Sequence, residues 1–162
     1  VCNAMETLLV DAAVAKTALP AVCSPLHAAK VELRGCKTTC EILPYAVPVA
    51  DGDYGHEFLD LILAVKVVDG IDGAIAHIEK HSSGHTEAIV TENYTKAQRF
   101  LRAVNSSCVL VNASTRFNDG GELGLGAELG ISTSRIHAYG PLGLTELTIS
   151  KFFVLGSGQV RG

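Results

Sequence analysis

Cysteine is the residue type in this sequence with the widest chemical reach, and five are present: Cys2, Cys23, Cys36, Cys40 and Cys108. A cysteine attacks as its thiolate. A free thiol ionises near pH ~8.5, so a nucleophilic one needs a nearby cation or backbone N–H groups at the start of a helical turn. Cys2 lies in the short polar run Val1-Cys2-Asn3-Ala4-Met5-Glu6, just ahead of an apolar segment. The other four read as small buried hydrophobes. Cys36 and Cys40 are spaced to share a helix face. A structural zinc site needs about four ligands, and no second pair with suitable spacing follows. His77, His81 and His85 recur at helical spacing, but Gly84 interrupts the series, so these read as a solvated helix end. The tract from Gly120 to Gly130 carries many glycines. No strand feeds directly into it and no Gly-Lys-Thr or Gly-Lys-Ser follows, so it is read as tight turns and not as a phosphate cradle. Motif logic alone leaves function open.

These groups must be held by a scaffold, and hydrophobic periodicity describes it. Thr7 to Val10 reads as a buried strand, and Asp11 as the N-cap of a helix over Ala12 to Leu19 that ends before Pro20. Ala21 to Lys30 reads as further helix with Pro25 at a break or first turn, and Val31 to Leu33 as a strand ending near Gly35. Lys37 to Leu43 reads as a short helix, and Tyr45 to Tyr54 as turn-rich. Phe58 to Val68 is the most strand-like segment, and Gly70 to His81 an amphipathic helix with Ile71, Ala74, Ile75 and Ile78 on one face. Glu87 to Thr91 and Ser107 to Val111 read as strands around a helix over Tyr94 to Val104, whose buried stripe is Ala97, Phe100, Leu101 and Val104. Alternation of strand and helix at this spacing predicts an α/β fold with a mostly parallel sheet flanked by helices. Phe152 to Leu155 reads as a last apolar strand in a tail too short for a core of its own. A lone strand leaves backbone groups unpaired, so it must find a partner elsewhere.

Composition narrows the classes of function. Hydrophobic residues make up 48% of the 162 residues and charged ones 19%, which excludes a disordered chain. The net charge is -4, with no basic stripe for nucleic acid. The longest apolar run, Leu59 to Val68, is broken by Asp60 and Lys66 and is too short to cross a bilayer. An odd, irregularly spaced cysteine set argues against a disulfide framework and for a reducing, cytoplasmic setting. The abrupt Val-Cys start reads as a piece of something longer.

The run Val1-Cys2-Asn3-Ala4-Met5-Glu6-Thr7-Leu8-Leu9-Val10 resembles the segment around the catalytic cysteine of gamma-glutamyl phosphate reductases, members of the aldehyde dehydrogenase superfamily. So do Ser83-Gly84-His85-Thr86-Glu87-Ala88-Ile89-Val90-Thr91, Val111-Asn112-Ala113-Ser114-Thr115-Arg116-Phe117, Gly124-Leu125-Gly126-Ala127-Glu128 and Gly130-Ile131-Ser132-Thr133. The blocks are in family order and spread over nearly the whole chain. Glu57-Phe58 stands where the superfamily has a Glu-Ile-Phe-Gly-Pro motif, but Leu59 and Asp60 follow, so the motif is eroded. The usual His-Ala-Arg-Gly-Pro block reads His137-Ala138-Tyr139-Gly140-Pro141, with Tyr139 in place of a cation.

The resemblance implies an aldehyde-dehydrogenase-like catalytic lobe over residues 1–117, a glycine-rich crossover segment over 118–147 packing back toward a cofactor lobe, and a C-terminal oligomerisation strand in an arm over 148–162. On that resemblance, the family's N-terminal cofactor-binding domain is expected to lie outside this chain. It implies NADPH-dependent reduction of L-glutamyl 5-phosphate to L-glutamate 5-semialdehyde and phosphate in proline biosynthesis, with Cys2 as the nucleophile that forms a thioester. Asn112, Ser114, Thr115 and Arg116 become candidates for substrate binding. Arg116 either holds the anionic substrate or pairs with a local carboxylate. Glu57 becomes the candidate for contacting the nicotinamide ribose. The partners implied are a small-molecule substrate, further copies of the chain in a homo-oligomer, and glutamate kinase as the neighbouring enzyme, with no nucleic acid and no membrane. The rival readings are a non-catalytic assembly module of the same ancestry and an aldehyde-oxidising dehydrogenase. The latter needs a general base to activate water, and none is identified.

Overall fold

The structure is a computed structural model describing residues 1–162. Strands β1 (Thr7–Asp11), β2 (Glu32–Gly35), β3 (Val47–Pro48) and β4 (Ile62–Val68) form one parallel sheet in the order β1-β4-β2-β3. β4 is central, pairing Thr7 with Ala64 on one side and Leu33 with Leu63 on the other. Its buried Leu63, Ala64 and Val65 show why it reads as a nearly continuous apolar run.

Helix α1 (Ala15–Ala28) covers this sheet, and Ala15, Leu19 and Cys23 are its buried stripe. The expected end before Pro20 is not observed: the helix runs through both Pro20 and Pro25. An interior proline costs about 3 kcal/mol. Fully burying a large apolar side chain contributes about 1.5–3 kcal/mol, and with Ala18 and Leu26 joining the stripe against the core, burial works against the two breaks. Nor is Asp11 the N-cap. It closes β1, its Oδ1 accepts from the Ala13 N–H, and Val14 takes the cap position. Helix α2 (Lys37–Ile42) adds Thr39, and Leu43 just beyond it completes the core with Val10, Leu33, Leu63 and Val65. The strand expected from Phe58 begins only at Ile62, because Leu59 has φ +56° and both Leu59 and Leu61 are exposed.

Helix α3 (Gly70–His81) follows β4, as its periodicity predicts. The next unit is β5 (Thr86–Ile89), α4 (Tyr94–Ala103) and β6 (Cys108–Val111). β5 and β6 are parallel but form a separate sheet, so the expected single sheet is two. Periodicity shows which face of a strand is apolar but not which strand lies beside it. In α4, Ala97 and Phe100 are buried with Val104 beyond the helix end, while Leu101 faces out. Asn93 caps this helix by accepting from the Lys96 N–H.

Beyond the 3-10 turn Thr115–Phe117, the chain forms a small antiparallel pair, β7 (Gly130–Ser132) and β8 (Gly140–Leu142). Arg135 and Tyr139, from the link between those strands, both donate to the Asn105 carbonyl, and the guanidinium lies over the Tyr139 ring. A guanidinium is therefore present beside Tyr139, carried by Arg135. Gly120 packs so closely on Ala127 that a Cβ would come within 2.5 Å of its carbonyl oxygen. The segment Phe152–Leu155 has no strand partner within the chain, and its four side chains are 80–98% exposed. No helix is long and apolar enough to cross a membrane.

His77 on α3 is buried against the Tyr54 ring, and Lys66 Nζ donates to its Nδ1 at 3.1 Å. Burial, and then the Lys66 charge, depress its pKa to about 4. The neutral ring is thus part of the fold. In the unfolded chain the ring takes a proton below about pH 6.5, whereas the folded one takes it only near 4, so acid favours unfolding across that window. His77 alone should make the protein about 2–3 kcal/mol less stable at pH 4.5 than at pH 7. Urea denaturation of the wild type and of His77→Phe at both pH values tests this. The variant should lose markedly less stability on acidification, and an equal loss would contradict the assignment.

Candidate active site

Cys2 is exposed on a turn that the Ala4 N–H closes onto the Val1 carbonyl at 3.1 Å, just ahead of β1. Its neighbour Asn3 is 5% exposed. The Asn3 Nδ2 donates to the carbonyls of Arg116 at 3.3 Å and Asn118 at 3.0 Å. Its Oδ1 accepts from Arg116 Nη1 at 2.5 Å, and its carbonyl accepts from Thr115 Oγ1 at 2.7 Å. The cysteine turn is thereby stitched to the 3-10 turn after β6. A buried amide left without such partners would cost about 1–3 kcal/mol per group, so these bonds hold the two turns together.

The residues proposed from sequence divide by what their side chains do here. Arg116 is exposed, reaches Asn3, and has no carboxylate partner, so its charge is not neutralised locally. Thr115 ties the Asn3 backbone, and Ser114 Oγ accepts from the Arg116 N–H at 3.3 Å, capping the turn. Asn112 has φ +53°, and its amide clamps Thr91 through two 2.8 Å bonds, one to the N–H and one to the carbonyl. Its polar atoms are thus committed to joining the ends of β5 and β6. Glu57 is exposed and makes no side-chain hydrogen bond or ion pair. Its charge still reaches Glu6, whose carboxyl is raised by burial and then by Glu57. The turn bearing Cys2 is thus joined through Asn3 to the turn bearing Thr115 and Arg116. Glu57 lies on the side of Glu6, and Asn112 stands at the scaffold end of the same loop.

Sequence reasoning did not single out Asn3, Asn118 or the environment of His85. Asn118 is fully buried and donates to Thr86 Oγ1 at 2.8 Å and more weakly to the His85 carbonyl at 3.4 Å. His85 is held below the usual imidazole range by burial, opposed by Glu128 and Glu57. Glu87, bonded by Ser82 and Ser106, is raised by burial. The only local signal for Asn3 was its place next to the cysteine; its contacts lie more than a hundred residues away along the chain. No three His, Cys, Asp or Glu side chains converge into a site that could hold a metal ion.

The remaining thiols have other environments. Cys23 is fully buried, and burial raises its pKa and that of Cys108. At Cys36 burial also pulls upward, but the Thr39 hydroxyl and the Val67, Thr39 and Thr38 N–H groups outweigh it and hold the thiol low. Cys36 is half-buried. Access therefore favours Cys2 for labelling. Rate-resolved peptide mapping with iodoacetamide at pH 7 should modify Cys2 first, with Cys36 the fastest of the rest and Cys23 the slowest. Faster labelling of Cys23 or Cys108 than of Cys2 would contradict the exposure described here.

No family model matches the chain. It is 61% identical over 161 residues to the gamma-glutamyl phosphate reductase of Desulfatibacillum aliphaticivorans, covering 99% of this chain and 38% of that protein. The chain thus spans well under half the length of the curated relatives it matches. The crystal structure of gamma-glutamyl phosphate reductase from Thermotoga maritima superposes with a TM-score of 0.92 at 53% identity, covering 100% of this chain and 39% of that one. An acetylating aldehyde dehydrogenase from Geobacillus thermoglucosidasius shares the fold at a TM-score of 0.65 and 18% identity, over 98% of this chain and 45% of that one. Over the part of those enzymes that it spans, the chain is similar in sequence and structure to gamma-glutamyl phosphate reductases, and it shares its fold with an acetylating aldehyde dehydrogenase.

Proposed function

We propose that this chain is the cysteine-bearing part of a gamma-glutamyl phosphate reductase, which reduces L-glutamyl 5-phosphate to L-glutamate 5-semialdehyde with NADPH in proline biosynthesis. The observation that carries the reading is the exposed thiol of Cys2 on a turn bonded to an unpaired guanidinium, Arg116. The Cys2 thiolate attacks the acyl carbon, a C–S bond forms, and the C–O bond to phosphate breaks with its electron pair leaving on phosphate. Arg116 supplies fixed positive charge for the anionic substrate. Thr115 and Ser114 hold the turn that carries it.

The nicotinamide cofactor, when bound, supplies the hydride that reduces the acyl carbon. Of this chain's residues, Glu57 fits contact with it, because its carboxylate is exposed, unengaged and able to accept from ribose hydroxyls. Cys2 leaves as the thiolate when the C–S bond breaks, so the nucleophile is regenerated. Residues 1–117 serve as the catalytic lobe and 118–147 as the crossover segment. Free thiols suit a reducing cytoplasm. The substrate is an acyl phosphate, so glutamate kinase is the enzyme that supplies it.

In a complete reductase carrying this sequence, phosphate-dependent reduction of NADP+ by glutamate 5-semialdehyde should fall roughly a thousandfold or more in Cys2→Ser. Turnover within a few-fold of wild type would overturn the assignment.

The arm over 148–162 is proposed to join copies of the chain. Phe152, Phe153, Val154 and Leu155 are exposed and without a strand partner, the condition that a strand from another subunit relieves. Deleting Thr148 to Gly162 should reduce the oligomer size seen by light scattering while the circular dichroism of the remainder is kept. An unchanged assembly would argue against the arm.

A further inference from the structure

Asn3 is the only side chain that bonds both to the backbone and to the guanidinium of the Arg116 turn. Its amide has one orientation that satisfies every contact. The Nδ2 must face the carbonyls of Arg116 and Asn118, and the Oδ1 must face the Arg116 guanidinium. A flipped amide, or a carboxylate, would set oxygen against two carbonyl oxygens. The fully buried Asn118 extends the support, because its side chain is anchored to Thr86 on β5 while its carbonyl receives Asn3. The cysteine turn, the guanidinium and the second sheet therefore meet at one amide.

We propose that Asn3 is a positioning residue for the reaction, fixing the Arg116 guanidinium beside the Cys2 turn so that nucleophile and anion-holding cation keep one separation. This rests on the reading of Cys2 and Arg116 given above. Asn3 touches no substrate; it acts through its neighbours on either side. Its Oδ1 leaves Arg116 a full positive charge, since an amide oxygen orients a guanidinium without neutralising it. Aspartate at this position would keep the contact but cancel the charge, and would repel the two carbonyls that Asn3 now bonds.

The test compares alkylation of Cys2 by anionic iodoacetate and by neutral iodoacetamide in the full chain. The ratio of the two rates reads the local charge and divides out access to the thiol. Asn3→Asp should lower the iodoacetate-to-iodoacetamide ratio about tenfold, and Asn3→Ser about threefold. In Arg116→Gln the ratio is already low, and adding Asn3→Ser should change it no further. In a complete reductase, Asn3→Asp should raise the KM for phosphate about tenfold with a smaller change in kcat. A merely structural role would slow or speed both reagents equally and would persist in the Arg116→Gln background; either result overturns the proposal. Should both Asn3 variants unfold in thermal melts, Arg116→Gln carries the test alone, because it leaves the Asn3-to-carbonyl bonds in place: an unchanged ratio there is equally fatal. Failure of the nucleophile assignment is separate, since it shows as turnover surviving Cys2→Ser.

Discussion

The amide of Asn3 bridges parts of the chain that are 113 and 115 residues apart in sequence. Nothing else in the site makes sense without that closure. Cys2 precedes the first strand and Arg116 follows the last strand of the second sheet, so neither has local structure to hold it against the other. Bringing such distant segments together costs loop-closure entropy, which grows only slowly with separation. Buried, complementary hydrogen bonds are directional enough to fix the register once packing has brought the segments close.

The two sheets each contribute one side of this arrangement. In the larger sheet β4 lies beside β1 and parallel to it, so the residues leading into β1 and those leading into β4 arrive at the same end of the sheet. This places Cys2 and Glu6 on the side approached by Glu57, whose charge is felt at Glu6. In the smaller sheet, Asn112 locks the ends of β5 and β6 through Thr91. The chain then turns back, and Asn118 reaches Thr86 at the start of β5. Open parallel sheets commonly place ligands beyond the carboxyl ends of their strands. Here Cys2 stands at the amino end of the strand it leads into, and Arg116 arrives from beyond the carboxyl end of another.

Much of the scaffold was legible in the sequence because periodicity is a local signal. The α3 boundaries and the βαβ alternation follow from apolar spacing and from glycine at the turns. The two prolines of α1 look like helix breaks in sequence because propensity is local, whereas the core that Leu19 and Cys23 enter is not. Division into two sheets was illegible for a similar reason, since strand order is a tertiary fact. Among the site residues, Cys2 and Arg116 stood out through the family-like blocks around them. Asn3 and Asn118 did not, because a buried amide in sequence looks like any turn asparagine until its partners are in place.

The central claim is that Cys2, and no other thiol, carries the acyl group. It is tested most directly by trapping that group on the protein. A complete reductase carrying this sequence should be incubated with glutamate 5-semialdehyde and NADP+ but without phosphate, then quenched in acid and mapped by mass spectrometry. Aldehyde, thiolate and NADP+ then give thioester and NADPH, and no phosphate is present to release the acyl group. The account predicts a glutamyl increment on the peptide bearing Cys2 and none on those bearing Cys23, Cys36, Cys40 or Cys108. An acyl adduct on the Cys36 peptide, or NADPH formed stoichiometrically with no adduct on Cys2, would contradict it.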